Sequence, residues 1–176
     1  MLTRRQFLKV GAASGVVLAG AGWFAARRGR APARGFQWLD TRSATIVTAL
    51  VPAVLDGALP AAQPARGDAV RETVAAFDRA VSGLSPPVQE EIAQLFALLG
   101  LAAGRFIVAG VRSEWAEATG DEVTAFLARW RSSRFGLLRA GYQALTQLVI
   151  AAWYGNPASW ERIGYPGPPT LEPPPS

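Results

Sequence analysis

Apolar side chains recur at steps of three and four residues through most of the chain, which is the spacing of amphipathic α-helices. No stretch shows the alternation of apolar and polar positions, rich in β-branched residues, that marks a strand. The predicted helices cover residues 41–56 and 69–81, a segment from Pro86 to about Leu99, a shorter helix after Thr119 and a long last helix that ends near Tyr154, with a single turn at 157–163. The pattern predicts an all-α fold, a single helical bundle of about five to six helices over residues 35–169. An N-terminal signal or anchor helix is expected before it, and an extended Pro-rich C-terminal tail, disordered over 170–176, after it.

Capping residues stand where most of these helices are predicted to begin. They are Asp40 or Thr41 for the first helix, Asp68 for the second, Ser85 followed by Pro86 for the third, Thr119 with Glu122 as a capping box for the fourth, and Asn156 for the final turn. Pro52 predicts a kink or an early end of the first helix. Ser132, Ser133 and Gly136 predict a break before the long last helix, and Gly155 is expected to end that helix in the left-handed conformation.

The most apolar internal segment is QLFALLGLAAGRFIVAGV, residues 94–111. It is apolar nearly all round a helical projection, which predicts central burial. Gly100 and Gly104 weaken the helical pattern, so residues 101–111 form either a second helix or a loose continuation of the third. Arg105 interrupts the segment and argues against its being a membrane span.

The chain begins with a basic segment followed by an uncharged one. Residues 3–9, TRRQFLK, fill every position of the pattern S/T-R-R-x-F-L-K and resemble the twin-arginine (Tat) export signal of bacteria. The residues that carry this resemblance are Arg4, Arg5, Phe7, Leu8 and Lys9. Residues 10–26 contain no charge and would span roughly 26 Å as a helix, just short of the ~30 Å of a hydrocarbon core.

Two fates of residues 1–34 remain open. Small residues at Ala19 and Ala21, or at Ala31 and Ala33, fit a cleavage site of the A-x-A type, and removal is slightly favoured. Alternatively, the aromatic pair 23–24 followed by two arginines is typical of a membrane-interface flank, so the segment would stay as an anchor with membrane association through residues 10–26.

The composition restricts the chemistry that the chain can carry. It has no Cys and no His, which excludes a Ser-His-Asp triad, a Cys-His pair, a typical zinc site and proximal haem ligation by histidine. Seven of the 18 basic residues lie in residues 1–34, which hold no acid, so the remainder carries 11 basic and all 13 acidic residues. A faintly acidic body provides no electrostatic footprint for nucleic acid, and any basic patch on it must be local.

One segment resembles a known family. Residues 130–169 contain AWYGNP, a tryptophan at 160, and IGYPGPP, and the run from Arg129 to Arg139 adds an Arg-Trp-(x)3-Arg-(x)3-Leu-Arg spacing. These pieces together resemble the C-terminal half of the gluconate 2-dehydrogenase subunit 3 family, the small Tat-exported subunits of membrane-associated, FAD-dependent sugar and polyol dehydrogenases. The resemblance covers about forty residues closely and the helical remainder only in character.

The resemblance implies a partner rather than a reaction. It implies a non-catalytic small (gamma-type) subunit without a cofactor, bound to an FAD-containing catalytic subunit of the glucose-methanol-choline type, with a multihaem cytochrome c as a further partner. Export by the Tat translocon would place the complex in the periplasm or at the inner membrane. The residues expected to contact the partner are Trp130, Arg134, Tyr154, Trp160, Tyr165, Pro166 and Pro168.

Three alternatives stand beside this interpretation. The aromatic tail either forms a hook across a partner or folds back onto its own bundle, and both descriptions can hold together. The arginines at 129, 131, 134 and 139 are either a solvated helix face or, for Arg134, a partner contact. A second hypothesis of another class is a stand-alone exported helical protein that binds lipid or an apolar ligand through residues 95–111.

Overall fold

The described residues of the chain form six α-helices and one π-helical turn, without a strand. The computed structural model describes residues 31–160 and 164–167. The elements are α1 Thr41–Val54, α2 Ala65–Ser82, α3 Pro86–Gly100, a π-helical turn Gly104–Ala109, α4 Gly120–Arg131, α5 Gly136–Tyr154 and α6 Pro157–Trp160. The all-α prediction is confirmed. The predicted export signal, the anchor at 10–26 and the tail at 170–176 lie outside the described residues.

Helix α1 is the centre of the bundle and packs against α2, α3, α4 and α5. Asp40 caps it, because its carboxylate accepts a hydrogen bond from the Ser43 backbone N–H at 2.7 Å. Pro52 lies within the last turn, and the helix ends two residues later, as the proline predicted. The apolar face of α1 is fully buried and consists of Ile46, Val47, Leu50 and Val51.

Helix α2 begins at Ala65, four residues before the predicted start, so the expectation that Asp68 caps it is wrong. Asp68 lies inside the first turn, where it pairs with Arg71. The side-chain oxygen of Gln63 accepts a hydrogen bond from the Gly67 N–H at 3.1 Å and satisfies one of the free donors of that turn. The connection between α1 and α2 therefore spans residues 55–64.

The predictions for α4 and α5 are confirmed except at one glycine. Thr119 and Glu122 form the capping box, and the chain leaves the helix at Ser132 before α5 starts at Gly136. Helix α5 ends at Tyr154, but Gly155 has φ −71° and is not left-handed, so the predicted type of stop is wrong. Glycine is needed there for another reason: a Cβ would lie 2.8 Å from the Ala151 carbonyl oxygen.

The junction with the N-terminal segment is fixed by one buried carboxylate. Asp78 on α2 accepts hydrogen bonds from the backbone N–H groups of Gln37, Trp38 and Leu39 at 2.7, 2.9 and 2.7 Å. The Ala33 N–H also donates to the Leu39 carbonyl at 2.8 Å, which closes a loop just before α1. The chain is thus held against the bundle from about residue 33 onward.

Candidate functional site

The described residues at the C-terminal end of α5 and after it form an aromatic turn, which we define by Tyr154, Trp160, Tyr165 and Gly167. The Trp160 indole N–H donates to the Tyr154 carbonyl oxygen at 2.7 Å, and the rings of Trp160 and Tyr165 meet edge to face with centroids 5.4 Å apart. Gly167 has φ +100°, and a Cβ on it would lie 3.3 Å from the Trp160 ring. The turn therefore depends on glycine at this position both for its backbone and for its packing.

A short helix holds this turn against α2. The Ser159 hydroxyl is buried and donates to the Asn156 carbonyl oxygen at 2.7 Å. The Asn156 amide donates to the Glu72 carboxylate at 3.4 Å, which ties α6 to the middle of α2. Beside this contact lies a pocket of about 230 Å³, with Glu72 and Arg79 among its lining on one side and Asn156 and Pro157 on the other.

The turn has both a packed and an exposed side. Trp160 is half-buried and bonds back onto the end of α5, so folding back is part of its arrangement. Tyr154, Tyr165 and Pro166 stay exposed beside it, and Ile150 is exposed one turn earlier on α5. The structure thus combines a tryptophan that fixes the turn with two tyrosines available at the surface.

The remaining predicted contact residues lie elsewhere. Trp130 is buried in the core, where its ring meets Phe126 edge to face at 4.8 Å, so a ring in this position stabilises the fold. Arg134 is exposed, with its guanidinium carbon 4.9 Å from the centroid of the Phe135 ring. Both residues flank the N-terminal end of α5, whereas the aromatic turn lies at its C-terminal end. The 19 residues of α5 separate the two ends by roughly 28 Å. Pro168 lies outside the described residues.

The expected central burial of residues 94–111 is right for the first part of the segment and wrong for Phe106 and Ile107. Phe96, Leu99 and also Arg105 are buried, but Phe106 and Ile107 are exposed. Arg105 donates to the carbonyl oxygens of Arg112 and Ser113 and pairs with the Glu114 carboxylate at 2.5 Å. The only sequence signal for the π-helical turn is one charged residue, Arg105, in an apolar run between two glycines.

In residues 31–160 and 164–167, no group of three or more acidic residues is arranged to hold a metal ion. Glu122 accepts hydrogen bonds from the backbone of Thr119 and Arg112. The bond from Thr119 is the main cause that lowers the pKa of Glu122 from its ordinary value of 4.5.

Comparisons of the whole chain with models of protein families, with curated proteins and with solved structures found no match. Within the described ranges, none of the helices is both long and apolar enough to cross a membrane.

Proposed function

We propose that the chain is the non-catalytic small subunit of a periplasmic FAD-dependent sugar or alcohol dehydrogenase. In this proposal it supplies the Tat export signal for the flavoprotein, which carries the FAD, and it stabilises that subunit by direct contact. A multihaem cytochrome c would take the electrons onward. The proposal rests on the resemblance of residues 130–169 and on the complete TRRQFLK motif.

The observation that supports partner binding best is the aromatic turn. The Trp160 indole N–H bonds to the Tyr154 main-chain carbonyl oxygen, and the Trp160 ring packs against the Tyr165 ring. With the two left-handed glycines, Gly164 and Gly167, these contacts order the backbone at Tyr154 and the ring of Tyr165 within the chain itself. A contact surface that is already ordered loses little conformational entropy on binding, and tyrosine and tryptophan are preferred anchors of interfaces. The adjacent pocket with Glu72 and Arg79 would receive side chains of the partner.

The export role is supported by the absence of His and Cys from the chain. The Tat route carries folded proteins, which suits an enzyme that takes up FAD before it leaves the cytoplasm. A chain without His and Cys has little cofactor-related reason of its own to use that route. The signal at Arg4 and Arg5 therefore fits a bound flavoprotein as the cargo.

The contact is tested by replacing Trp160 with Ala and measuring capture of the flavoprotein by the tagged chain. We expect binding to weaken about 30-fold, the size of an interface hot spot, while the helix content by circular dichroism stays unchanged. Tyr154→Ala should also weaken binding, and Val88→Ala is its matched control because both side chains are 40% exposed. Loss of helix content in Trp160→Ala would assign the turn to folding alone, and unchanged capture by both variants would refute the proposed contact.

The export role is tested separately by replacing Arg4 and Arg5 with lysine. We expect flavoprotein activity to stay in the cytoplasm, as it should when residues 1–34 are deleted. Gln6→Ala is the control, because residue 6 occupies the variable position of the motif. Unchanged periplasmic activity of the double variant would refute the export role.

A second candidate function keeps one supporting observation. A stand-alone lipid or apolar-ligand binder would use residues 95–111, and Phe106 and Ile107 of that segment are exposed. It predicts a stable monomer that purifies without a flavin-bearing chain.

A further inference from the structure

The π-helical turn at Gly104–Ala109 reverses the usual burial of a soluble protein, in which apolar side chains are buried and charged ones are exposed. Its one charged residue, Arg105, is buried, while Phe106 and Ile107 are 59% and 75% exposed. Between residues 98 and 111 the chain has no other polar side chain. Soluble proteins rarely bury an arginine and expose two neighbouring large apolar side chains, so this arrangement indicates a surface that something covers.

The reversal is fixed by specific contacts. A Cβ on Gly104 would lie 1.8 Å from the Leu98 carbonyl oxygen, so only glycine allows the turn to pass this close to α3. The carbonyl oxygens of Arg112 and Ser113 hold the Arg105 guanidinium inward. Because these contacts determine which way the turn faces, the exposure of Phe106 and Ile107 is a defined feature of the fold.

A second exposed apolar pair lies just after the C-terminal end of α4, to which the π-helical turn is also attached. Phe135 and Leu137, in the α4–α5 connection and the first turn of α5, are 58% and 81% exposed. The Trp130 indole N–H donates to the Val108 carbonyl oxygen at 3.0 Å, which attaches the π-helical turn to the last turn of α4, directly before this connection. We call Phe106, Ile107, Phe135 and Leu137 together the apolar face.

The surroundings of the apolar face are basic. Residues 92–113 and 123–160 contain no acidic residue, and three exposed arginines, Arg131, Arg134 and Arg139, lie in or beside the α4–α5 connection. The guanidinium of Arg134 lies over the Phe135 ring, and Arg139 donates to the Ser133 carbonyl oxygen at 2.7 Å. Glu114, the acid bonded to the π-helical turn, is paired with Arg105. The face is therefore a local cationic patch on a faintly acidic body.

We propose that the apolar face is a membrane-contact surface that inserts its four side chains into the interface of an anionic lipid bilayer. Large apolar side chains flanked by arginines match such an interface, because the rings and aliphatic groups enter the acyl boundary while the guanidinium groups bind lipid phosphates. A second copy of the chain is a poor occupant, because two arginine-rich faces repel each other. The proposal concerns the opposite end of α5 from the aromatic turn and does not depend on the flavoprotein.

The test uses the full chain with one introduced cysteine, which is a unique labelling site because the sequence has none. Ala103→Cys places an environment-sensitive fluorophore beside the apolar face without removing any of its side chains, since residue 103 is exposed. The control is Val88→Cys in the first turn of α3. Residue 88 lies about 18 Å along that helix from its end at Gly100, where the chain leads into the π-helical turn.

With vesicles of phosphatidylglycerol and phosphatidylcholine we expect a blue shift at residue 103 and quenching by nitroxide-labelled lipid, with neither effect at residue 88. Replacing Arg131, Arg134 and Arg139 with Gln should raise the lipid concentration needed for the shift about fivefold for each arginine and weaken its salt dependence. Phe106→Ser combined with Ile107→Ser should abolish the shift while the helix content by circular dichroism stays unchanged.

Two results would overturn the proposal. In the first, the fluorophore at 103 stays in water while the chain sediments with the vesicles, so that another segment binds the membrane. In the second, a co-purified protein shields residue 103 and vesicles do not, which would assign the face to a protein partner.

Discussion

The two ends of α5 both expose aromatic side chains, but they differ in how those side chains are held. At the C-terminal end, the aromatic turn is held by contacts within itself, because the Trp160 indole N–H donates to the Tyr154 carbonyl oxygen and the Trp160 ring packs against the Tyr165 ring. At the N-terminal end, Phe135 contacts a guanidinium and Leu137 projects into solvent. An ordered aromatic cluster suits recognition of a protein, whereas projecting apolar side chains with arginines suit a lipid interface.

The difference also explains why a motif of aromatic residues is ambiguous in a sequence. Trp130 and Trp160 both lie in the segment that resembles the small-subunit family, yet one is in the core and the other at the surface. The residues around each tryptophan decide whether its ring is buried. Trp130 faces Gly141, where a Cβ would lie 2.6 Å from its ring, and Trp160 faces a turn of glycines and proline.

The largest expected effect separates these two tryptophans. Trp130→Ala should lower the free energy of unfolding by about 4 kcal/mol, because it leaves a cavity next to Phe126 and removes the hydrogen bond to Val108. Trp160→Ala should lower it by about 1 kcal/mol, because that ring is only half-buried. Urea unfolding of the full chain measures both. Equal losses would contradict the assignment of one ring to the core and the other to the surface.

The next effect tests whether the π-helical turn is fixed. Gly104→Ala should lower the free energy of unfolding by about 3 kcal/mol, because the added methyl group meets the Leu98 carbonyl oxygen. Gly120→Ala is the matched control, since no atom lies within 4 Å of its Cβ position. The control should change the stability by less than about 0.5 kcal/mol. If Gly104→Ala behaved like the control, the turn would be free to rearrange and the exposed apolar face would lose its basis.

Much of the fold could be predicted because its signals are local. The capping box at Thr119 and Glu122, the cap at Asp40 and the break at Ser132 each depend on residues within a few positions along the chain. The predictions that were wrong depend on contacts that the sequence pattern does not show. Gln63 supplies the acceptor that lets α2 begin early, and the Leu98 and Ala151 carbonyl oxygens explain the glycines at 104 and 155.

A smaller effect compares two leucines of α5. Leu137→Ser should change the free energy of unfolding by less than about 0.5 kcal/mol, because Leu137 is exposed and makes no core contact. Leu145→Ala, in the buried face of the same helix, should cost about 3 kcal/mol and serves as the reference. A large loss in Leu137→Ser would mean that this side chain is covered within the chain, and it would remove Leu137 from the apolar face.

The smallest effect depends on pH and lies at the other end of α4. Because the pKa of Glu122 is lowered in the folded chain, its ionised carboxylate stabilises the fold above pH 4.5, and that contribution fades as the pH falls below 4.5 through the folded-state pKa. Glu122→Gln should therefore lower the melting temperature slightly at neutral pH, and its difference from the unchanged chain should shrink in acid. A difference in melting temperature between Glu122→Gln and the unchanged chain that grew in acid would contradict the capping role. The Glu122→Gln change should leave the emission of the fluorophore at residue 103 unaltered at neutral pH and in acid.

The candidate site was predictable in its residue types and only partly in its geometry. The clustering of Tyr154, Trp160 and Tyr165 follows from glycine and proline positions that force tight turns close together in sequence. The apolar face depends on which way Arg105 turns, and that direction is set by carbonyl oxygens seven and eight residues further along the chain. Helical periodicity contains no information about these carbonyl oxygens. It therefore predicts burial for Phe106 and Ile107, which are exposed.

Purification of the tagged chain from its native source tests the proposed function most directly. We expect a yellow, FAD-bearing dehydrogenase subunit to co-purify with the unchanged chain, to be lost from Trp160→Ala and to be retained by Leu137→Ser. A colourless monomer that is stable without any flavoprotein would contradict the proposal and favour the stand-alone binder.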